Sequence, residues 1–90
     1  MRKCLTLKIH GLVQGIGYRY SARNEAKKRQ FTGYVCNSAD GMVEIVAEGE
    51  ENHLKDFINW CYNGVGPAQV NKIDQSWSEA TGQFSDFVIK

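Results

Sequence analysis

Apolar and polar residues alternate along several stretches of this chain, and each such stretch predicts a half-buried β-strand. From residue 5 to residue 10, apolar side chains hold the odd positions and polar ones the even positions. The same period of two recurs later, less regularly, and the alternation is least perfect in the fourth stretch, which predicts a bulge there. The predicted strands are 5–10, 31–37, 42–48, 70–77 and 84–90.

Two other stretches have helical spacing. In the second of them, apolar residues recur at i, i+3, i+4 and i+7 from Leu54, and Asn63-Gly64 ends the helix. In the first, apolar residues at every fourth position from Tyr18 predict a helix that continues to about Arg29. Both helices should therefore present one apolar face to a sheet.

The order of these elements predicts the fold. The predicted order is strand, helix, strand, strand, helix, strand, with one more strand at the C-terminus. It corresponds to two right-handed βαβ crossovers joined by a hairpin at Asp40-Gly41. This order is typical of a ferredoxin-like α+β sandwich, with both helices on one face of an antiparallel sheet. Ninety residues suffice for one core, so we expect a single domain spanning 1–90.

Composition excludes several classes of partner. The net charge is +1, without the basic excess that binding to nucleic acid usually requires. No apolar run is long enough to span a membrane, and the N-terminus has no secretory h-region. We therefore expect a cytoplasmic protein that binds neither nucleic acid nor membrane. Nothing indicates an obligate protein partner, and we expect a monomer.

The cysteines and histidines do not form a recognisable metal site. The three cysteines are widely spaced, no pair forms C-x-x-C, and neither histidine lies at ligand spacing to a cysteine. We expect no metal and no cofactor, and we interpret the cysteines as structural thiols in a reducing compartment. These residues are Cys4, Cys36, Cys61, His10 and His53.

The connection from the first strand to the first helix is rich in glycine. Gly15 and Gly17 allow backbone conformations that other residues resist, and they leave space for an anion near the chain. The connection leads into a helix N-terminus, where free N–H groups favour negative charge, and Arg19 lies in the first turn. A phosphate site is one interpretation. A tight turn with a solvated arginine is the other.

Asn37 is a second candidate, because it ends the predicted strand 31–37. That strand should run parallel to the first, with strand 42–48 between them, which brings Asn37 to the same edge of the sheet as the glycine-rich connection. An amide there can accept a hydrogen bond from water and direct it at a bound phosphorus. The alternative is a turn asparagine that bonds to its own backbone.

Together these segments resemble the acylphosphatase family. Residues 11–19, GLVQGIGYR, resemble its signature G-x-V-Q-G-V-x-F-R, and residues 33–44, GYVCNSADGMVE, resemble G-[WYF]-V-x-N-x-x-D-G-x-V-E. The resemblance covers the whole chain. Ile16 replaces the usual valine, Tyr18 the usual phenylalanine, and Ala68 the second residue of a common proline pair.

The resemblance implies hydrolysis of a carboxyl–phosphate anhydride to carboxylate and inorganic phosphate, without metal. Arg19 would bind the phosphoryl oxygens, Asn37 would orient the attacking water, and Ser38 could adjust the water network. The phosphoryl group would also be held by backbone N–H groups of the loop. These belong to Gln14, Gly15, Ile16, Gly17, Tyr18 and Arg19. The acyl group is left open.

Other classes share this element order. An RNA-binding module would place stacking aromatic residues on its two central strands, and here 5–10 and 42–48 have none. A metal carrier would have C-x-x-C on the first loop, where Gly15-Ile16-Gly17 lies instead. A module that binds acyl phosphates without turnover also fits the sequence, and an assay of phosphate release in the presence of a chelator would separate it from an enzyme.

Overall fold

The computed structural model describes residues 1–90, and every predicted strand and helix is present in it. The elements are β1 (Arg2–Leu12), α1 (Tyr18–Lys28), β2 (Thr32–Asn37), β3 (Val43–Glu50), α2 (Glu51–Asn63), β4 (Gln69–Glu79) and β5 (Phe87–Ile89). No helix is both long and apolar enough to cross a membrane.

The strands form one sheet in the order β4-β1-β3-β2-β5. β1 pairs antiparallel with both β3 and β4, and β2 pairs antiparallel with β3. The predicted ferredoxin-like arrangement is confirmed, including the placement of β3 between β1 and β2. β5 adds a parallel pairing to β2, which makes the five-stranded sheet mixed. The chain returns to the end of the sheet where β2 begins, so β5 must run in the same direction as β2.

The last strand is shorter than predicted. It begins at Phe87, so the prediction of strand at 84–86 is wrong. There the carbonyl of Asp86 accepts a hydrogen bond from the N–H of Gly33 at 2.9 Å, and the ring of Phe84 packs edge-on against that of Tyr34. Residues 84–86 therefore contact β2 before the pairing of β5 with β2 begins at Phe87.

The core lies between the sheet and the two helices. Leu5, Leu7 and Ile9 of β1 are fully buried and contact the apolar faces of α1 and α2, as do Val43, Ile45 and Ala47 of β3. The helical residues in this core are Tyr18, Ala22, Ala26, Leu54, Phe57, Ile58 and Cys61. The apolar residues that define the period of two in the strands and the helical spacing are thus the ones buried in the core.

The predicted bulge is present in β4. His10 pairs with Lys72, whereas Gly11 pairs with Val70, so Asn71 is an extra residue on β4. A Cβ on Gly11 would lie 2.0 Å from the Gln69 carbonyl oxygen, so only glycine allows this approach of the two backbones. Bulges bend a strand, and this one lies at the end of β1, immediately before the glycine-rich loop.

A buried carboxylate holds residues 81 and 82 against the sheet. Glu48 is fully buried and accepts hydrogen bonds from the N–H and hydroxyl of Thr81, both at 2.9 Å, and from the N–H of Gly82 at 3.0 Å. Burial raises the pKa of Glu48, but these hydrogen bonds outweigh it, so the pKa lies below its ordinary value. Sequence reasoning did not identify this group.

All three cysteines are free thiols. Cys4 and Cys61 are buried and Cys36 is half-buried. Burial raises the pKa of all three thiols, that of Cys61 to about 12, so they stay protonated near neutral pH. This is how structural thiols behave.

Candidate functional site

The loop between β1 and α1 depends on two glycines in the left-handed region. Gly15 has φ +78° and Gly17 has φ +82°, and other residues are strained there. A Cβ added to either glycine would have no atom within 4 Å. The glycines are therefore required by backbone conformation, and the side of the loop they leave open is accessible to a ligand.

The N–H groups of this loop are free. None of the amides from Gln14 to Gly17 donates to another protein atom. Tyr18 and Arg19 follow in the first turn of α1, where a helix provides no acceptor for its N–H groups. Gly17 caps this helix without a side-chain hydrogen bond, so nothing in the chain neutralises its N-terminus. The loop thus presents consecutive donors and the positive end of a helix dipole.

A small cavity joins this loop to the end of β2. Its volume is about 70 Å³, and it is lined by Val13, Gly15, Gly17, Tyr18, Arg19, Tyr20 and Asn37. Arg19 and Asn37, which the topology predicted to lie at one edge of the sheet, therefore line the same cavity. A cavity of this size is on the scale of a phosphoryl group.

Both side chains lack partners within the protein. Arg19 is half-buried, and its guanidinium makes no ion pair or hydrogen bond. Asn37 is exposed, and its amide also makes no hydrogen bond, so it is not the self-bonded turn asparagine of the alternative interpretation. In this turn Asp40 has that role, since its carboxylate accepts from the N–H of Met42 at 3.4 Å.

The charge of Arg19 extends to the end of β2. The thiol of Cys36, adjacent to Asn37, has its pKa raised mainly by burial and also by the charge of Glu44, while the charges of Lys90 and Arg19 oppose the rise. Arg19 is also the only charged residue that lines the cavity. The site is therefore electropositive, as a phosphate requires.

The side chains of three predicted phosphate-binding residues have other contacts. Tyr18 is buried, and its hydroxyl donates to the Cys61 carbonyl at 2.6 Å. Ile16 packs against the core. The amide nitrogen of Gln14 donates to the carbonyls of Ser38 at 3.0 Å and Met42 at 2.9 Å. Any contact of these residues with phosphate would therefore use the backbone N–H.

Ser38 is engaged within its own turn. Its hydroxyl donates to the Asp40 carboxylate, and this hydrogen bond is the largest of the effects that lower the pKa of Asp40. It also lies 3.4 Å from the Met42 carbonyl oxygen. These contacts shape the turn after Asn37.

No carboxylate or imidazole lines the cavity, and no metal cluster accompanies it. Neither histidine lines it: His10 bonds to Asp74 at 2.9 Å, and His53 lies on α2. No group of three or more His, Cys, Asp or Glu side chains is arranged to hold a metal ion. What the site offers is a cation, aligned amides and one neutral amide side chain.

Two larger depressions, of about 350 and 260 Å³, occur elsewhere. One lies beside α2 and β4, and the other on the face of the sheet without helices. Their lining charges are mixed in sign: Lys3 and Glu51 in the first, Lys8 and Glu44 in the second. The smaller cavity is the better candidate because free donors of one sign converge there.

Comparison with known proteins decides the family. The sequence profile of the acylphosphatase family matches residues 5–89, nearly the whole chain. The chain belongs to the acylphosphatase family. It is accordingly an acylphosphatase, a hydrolase whose substrates are small acyl phosphates.

Individual relatives agree with this assignment. The chain is 43% identical over 89 residues to an acylphosphatase from Caldanaerobacter subterraneus, with 99% of each chain covered. It is 42% identical to one from Paenarthrobacter aurescens, covering 94% of this chain and 90% of the relative. The crystal structure of an acylphosphatase from Bacillus subtilis superposes with a TM-score of 0.93 at 38% identity, covering 100% and 99% of the two chains.

Proposed function

We propose that this acylphosphatase binds the phosphoryl group of its substrate with Arg19 and the N–H groups of residues 14–19, and that Asn37 directs water at the phosphorus. The observation that carries the proposal is the cavity of about 70 Å³ that both side chains line, each without a protein partner. A group left unpaired at a cavity is available to a ligand.

Binding follows from the loop. The phosphoryl oxygens accept hydrogen bonds from the free amides, while the guanidinium can bind two of these oxygens at once. Because the donors are fixed before substrate arrives, they stabilise the charge on the equatorial oxygens without reorganisation. Phosphoryl transfer needs mainly such positioning and charge stabilisation.

The chemical step needs no base from the protein. The water oxygen attacks phosphorus, the bond from phosphorus to the acyl oxygen breaks, and its electron pair leaves with the carboxylate. The water proton passes to a phosphoryl oxygen. Since a carboxylate is a weakly basic leaving group, no strong general acid is required, which agrees with a cavity that contains no Asp, Glu or His.

We also propose that the reaction is independent of metal. The guanidinium supplies the positive charge that a cation supplies in other phosphoryl-transfer sites, and no carboxylate lines the cavity to hold such a cation. The enzyme would act in the cytoplasm as a single-domain monomer that does not bind nucleic acid, as the near-neutral charge of +1 favours.

The test is turnover of acetyl phosphate by Arg19→Ala and Asn37→Ala. Loss of one transition-state donor typically costs 10²–10³ in kcat, and we expect at least about 100-fold from either variant. Arg2→Ala and Asn59→Ala are matched controls, because both residues are exposed and lie outside the cavity. Near-normal turnover by Asn37→Ala would exclude it as the water-positioning group. A large loss of wild-type activity after dialysis against a chelator would exclude metal independence.

A further inference from the structure

The side chain of Gln14 connects the two halves of the site. Its amide nitrogen carries two hydrogens and donates to two carbonyls, that of Ser38 at 3.0 Å and that of Met42 at 2.9 Å. Gln14 lies in the loop between β1 and α1, whereas Ser38 and Met42 lie at the two ends of the turn after Asn37. One side chain thus contacts both segments.

The two carbonyls mark the base of this turn. Ser38 follows Asn37 directly, and its N–H donates to the Met42 carbonyl at 2.8 Å, which closes the turn. Met42 precedes Val43, the residue that pairs with Asn37 in the sheet. Any shift of these carbonyls therefore moves the backbone that carries the Asn37 amide.

No other hydrogen bond joins the loop at 13–17 to the turn at 38–42. The sheet does not provide one, because β1 and β2 are separated by β3 and exchange no ladder bonds. The sheet aligns the strand ends, since Ile9 and Asn37 both pair with Val43 of β3, but the loop and the turn lie beyond these pairs. The Gln14 amide provides the direct hydrogen bonds between the loop and the turn.

We propose that Gln14 is a positioning residue that aligns the water-directing amide of Asn37 with the bound phosphorus. The inference rests on the proposed roles of Arg19 and Asn37. Gln14 itself touches neither water nor phosphorus through its side chain. Loss of its two hydrogen bonds displaces Asn37 and leaves the phosphate-binding donors in place.

The experiment compares Gln14→Ala and Gln14→Glu with wild type. Gln14→Glu keeps the chain length but replaces two donors with a carboxylate that faces two carbonyls. A displacement on the order of 1 Å can cost about 100-fold in rate, so we expect kcat for acetyl phosphate to fall by roughly 10–100-fold in both variants. The inhibition constant of inorganic phosphate should change less than about threefold, because phosphate binds to the loop and Arg19. Gln83→Ala is the control, since that exposed side chain makes no hydrogen bond.

A second readout does not depend on activity. In NMR spectra, the side-chain amide of Asn37 and the backbone amides of 38–42 should shift in the Gln14 variants, while added phosphate still shifts the amides of Gly15 and Gly17. If phosphate affinity falls in parallel with kcat, Gln14 shapes the loop and the proposal is wrong. An unchanged kcat also overturns it. If instead Asn37→Ala is active, the proposed function itself fails, whatever the Gln14 variants show.

Discussion

The hydroxyl of Tyr18 provides a test of how the two helices are joined. It donates to the Cys61 carbonyl at 2.6 Å, and the residue is 1% exposed. That carbonyl lies in the last turn of α2 and accepts no backbone N–H, so the hydroxyl is its only partner. Burial, together with this contact, raises the pKa of Tyr18, which keeps the hydroxyl protonated as a donor.

Tyr18→Phe removes this hydrogen bond and keeps the ring. The variant leaves a buried carbonyl unpaired, which costs about 1–3 kcal/mol of unfolding free energy. In a domain of this size each kcal/mol lowers Tm by roughly 4–8 °C. Because the backbone N–H of Tyr18 is unaltered, kcat should stay within about twofold of wild type.

Urea unfolding of Tyr18→Phe, with Tyr62→Phe as the matched control, measures this cost. Tyr62 is 41% exposed and its hydroxyl makes no hydrogen bond, so its variant should change stability by less than about 0.5 kcal/mol. The slope of unfolding free energy against urea should be the same in both variants. Equal stability of the two variants would refute the idea that this bond joins α1 to α2.

Three further outcomes are expected. Glu48→Gln should cost about 1–3 kcal/mol near neutral pH, since an amide cannot accept all three hydrogen bonds. The pKa of Glu48 is lower in the folded protein than in the unfolded chain. The ionised carboxylate therefore contributes fully to the unfolding free energy above about pH 4.3, and this contribution is lost as pH falls through the folded pKa. In urea titrations from pH 7 to pH 3, the stability of Glu48→Gln should depend less on pH than that of wild type. Gly15→Ala should lower the unfolding free energy by about 1–2 kcal/mol, because alanine is strained at φ +78°. The added methyl group should also weaken inhibition by phosphate. An unchanged inhibition constant would argue against phosphate binding on the open side of the loop. The pH profile of kcat/KM should be flat between about pH 6 and 8, because no histidine lines the cavity, and a bell-shaped profile would indicate a base elsewhere.

Much of the fold follows from periodicity. The alternation at 5–10 located β1, but the strand extends from Arg2 to Leu12 because backbone pairing continues where the side-chain pattern is interrupted. The start of β5 was wrong for a related reason. The ring of Phe84 packs on that of Tyr34 although Phe84 lies outside the strand. A pattern of apolar residues does not distinguish such a contact from a position paired in the sheet.

The sequence predicted those features of the site that depend on strand topology. It did not predict the hydrogen bonds that side chains make to backbone carbonyls. Parallel directions of β1 and β2 placed Arg19 and Asn37 at one edge, and the cavity contains both. The contacts of Gln14 and Tyr18 could not be predicted, because their partners are carbonyls, which every residue has. Only the folded geometry selects which carbonyl is used.

Hydrolysis of acetyl phosphate in ¹⁸O-labelled water shows directly whether the site directs water at phosphorus. After a single turnover on wild-type enzyme, mass spectrometry of the two products shows which atom was attacked. We expect one ¹⁸O in inorganic phosphate and none in acetate. Label in the acetate would mean that water attacks the carbonyl carbon, and it would contradict the roles given to Arg19 and Asn37.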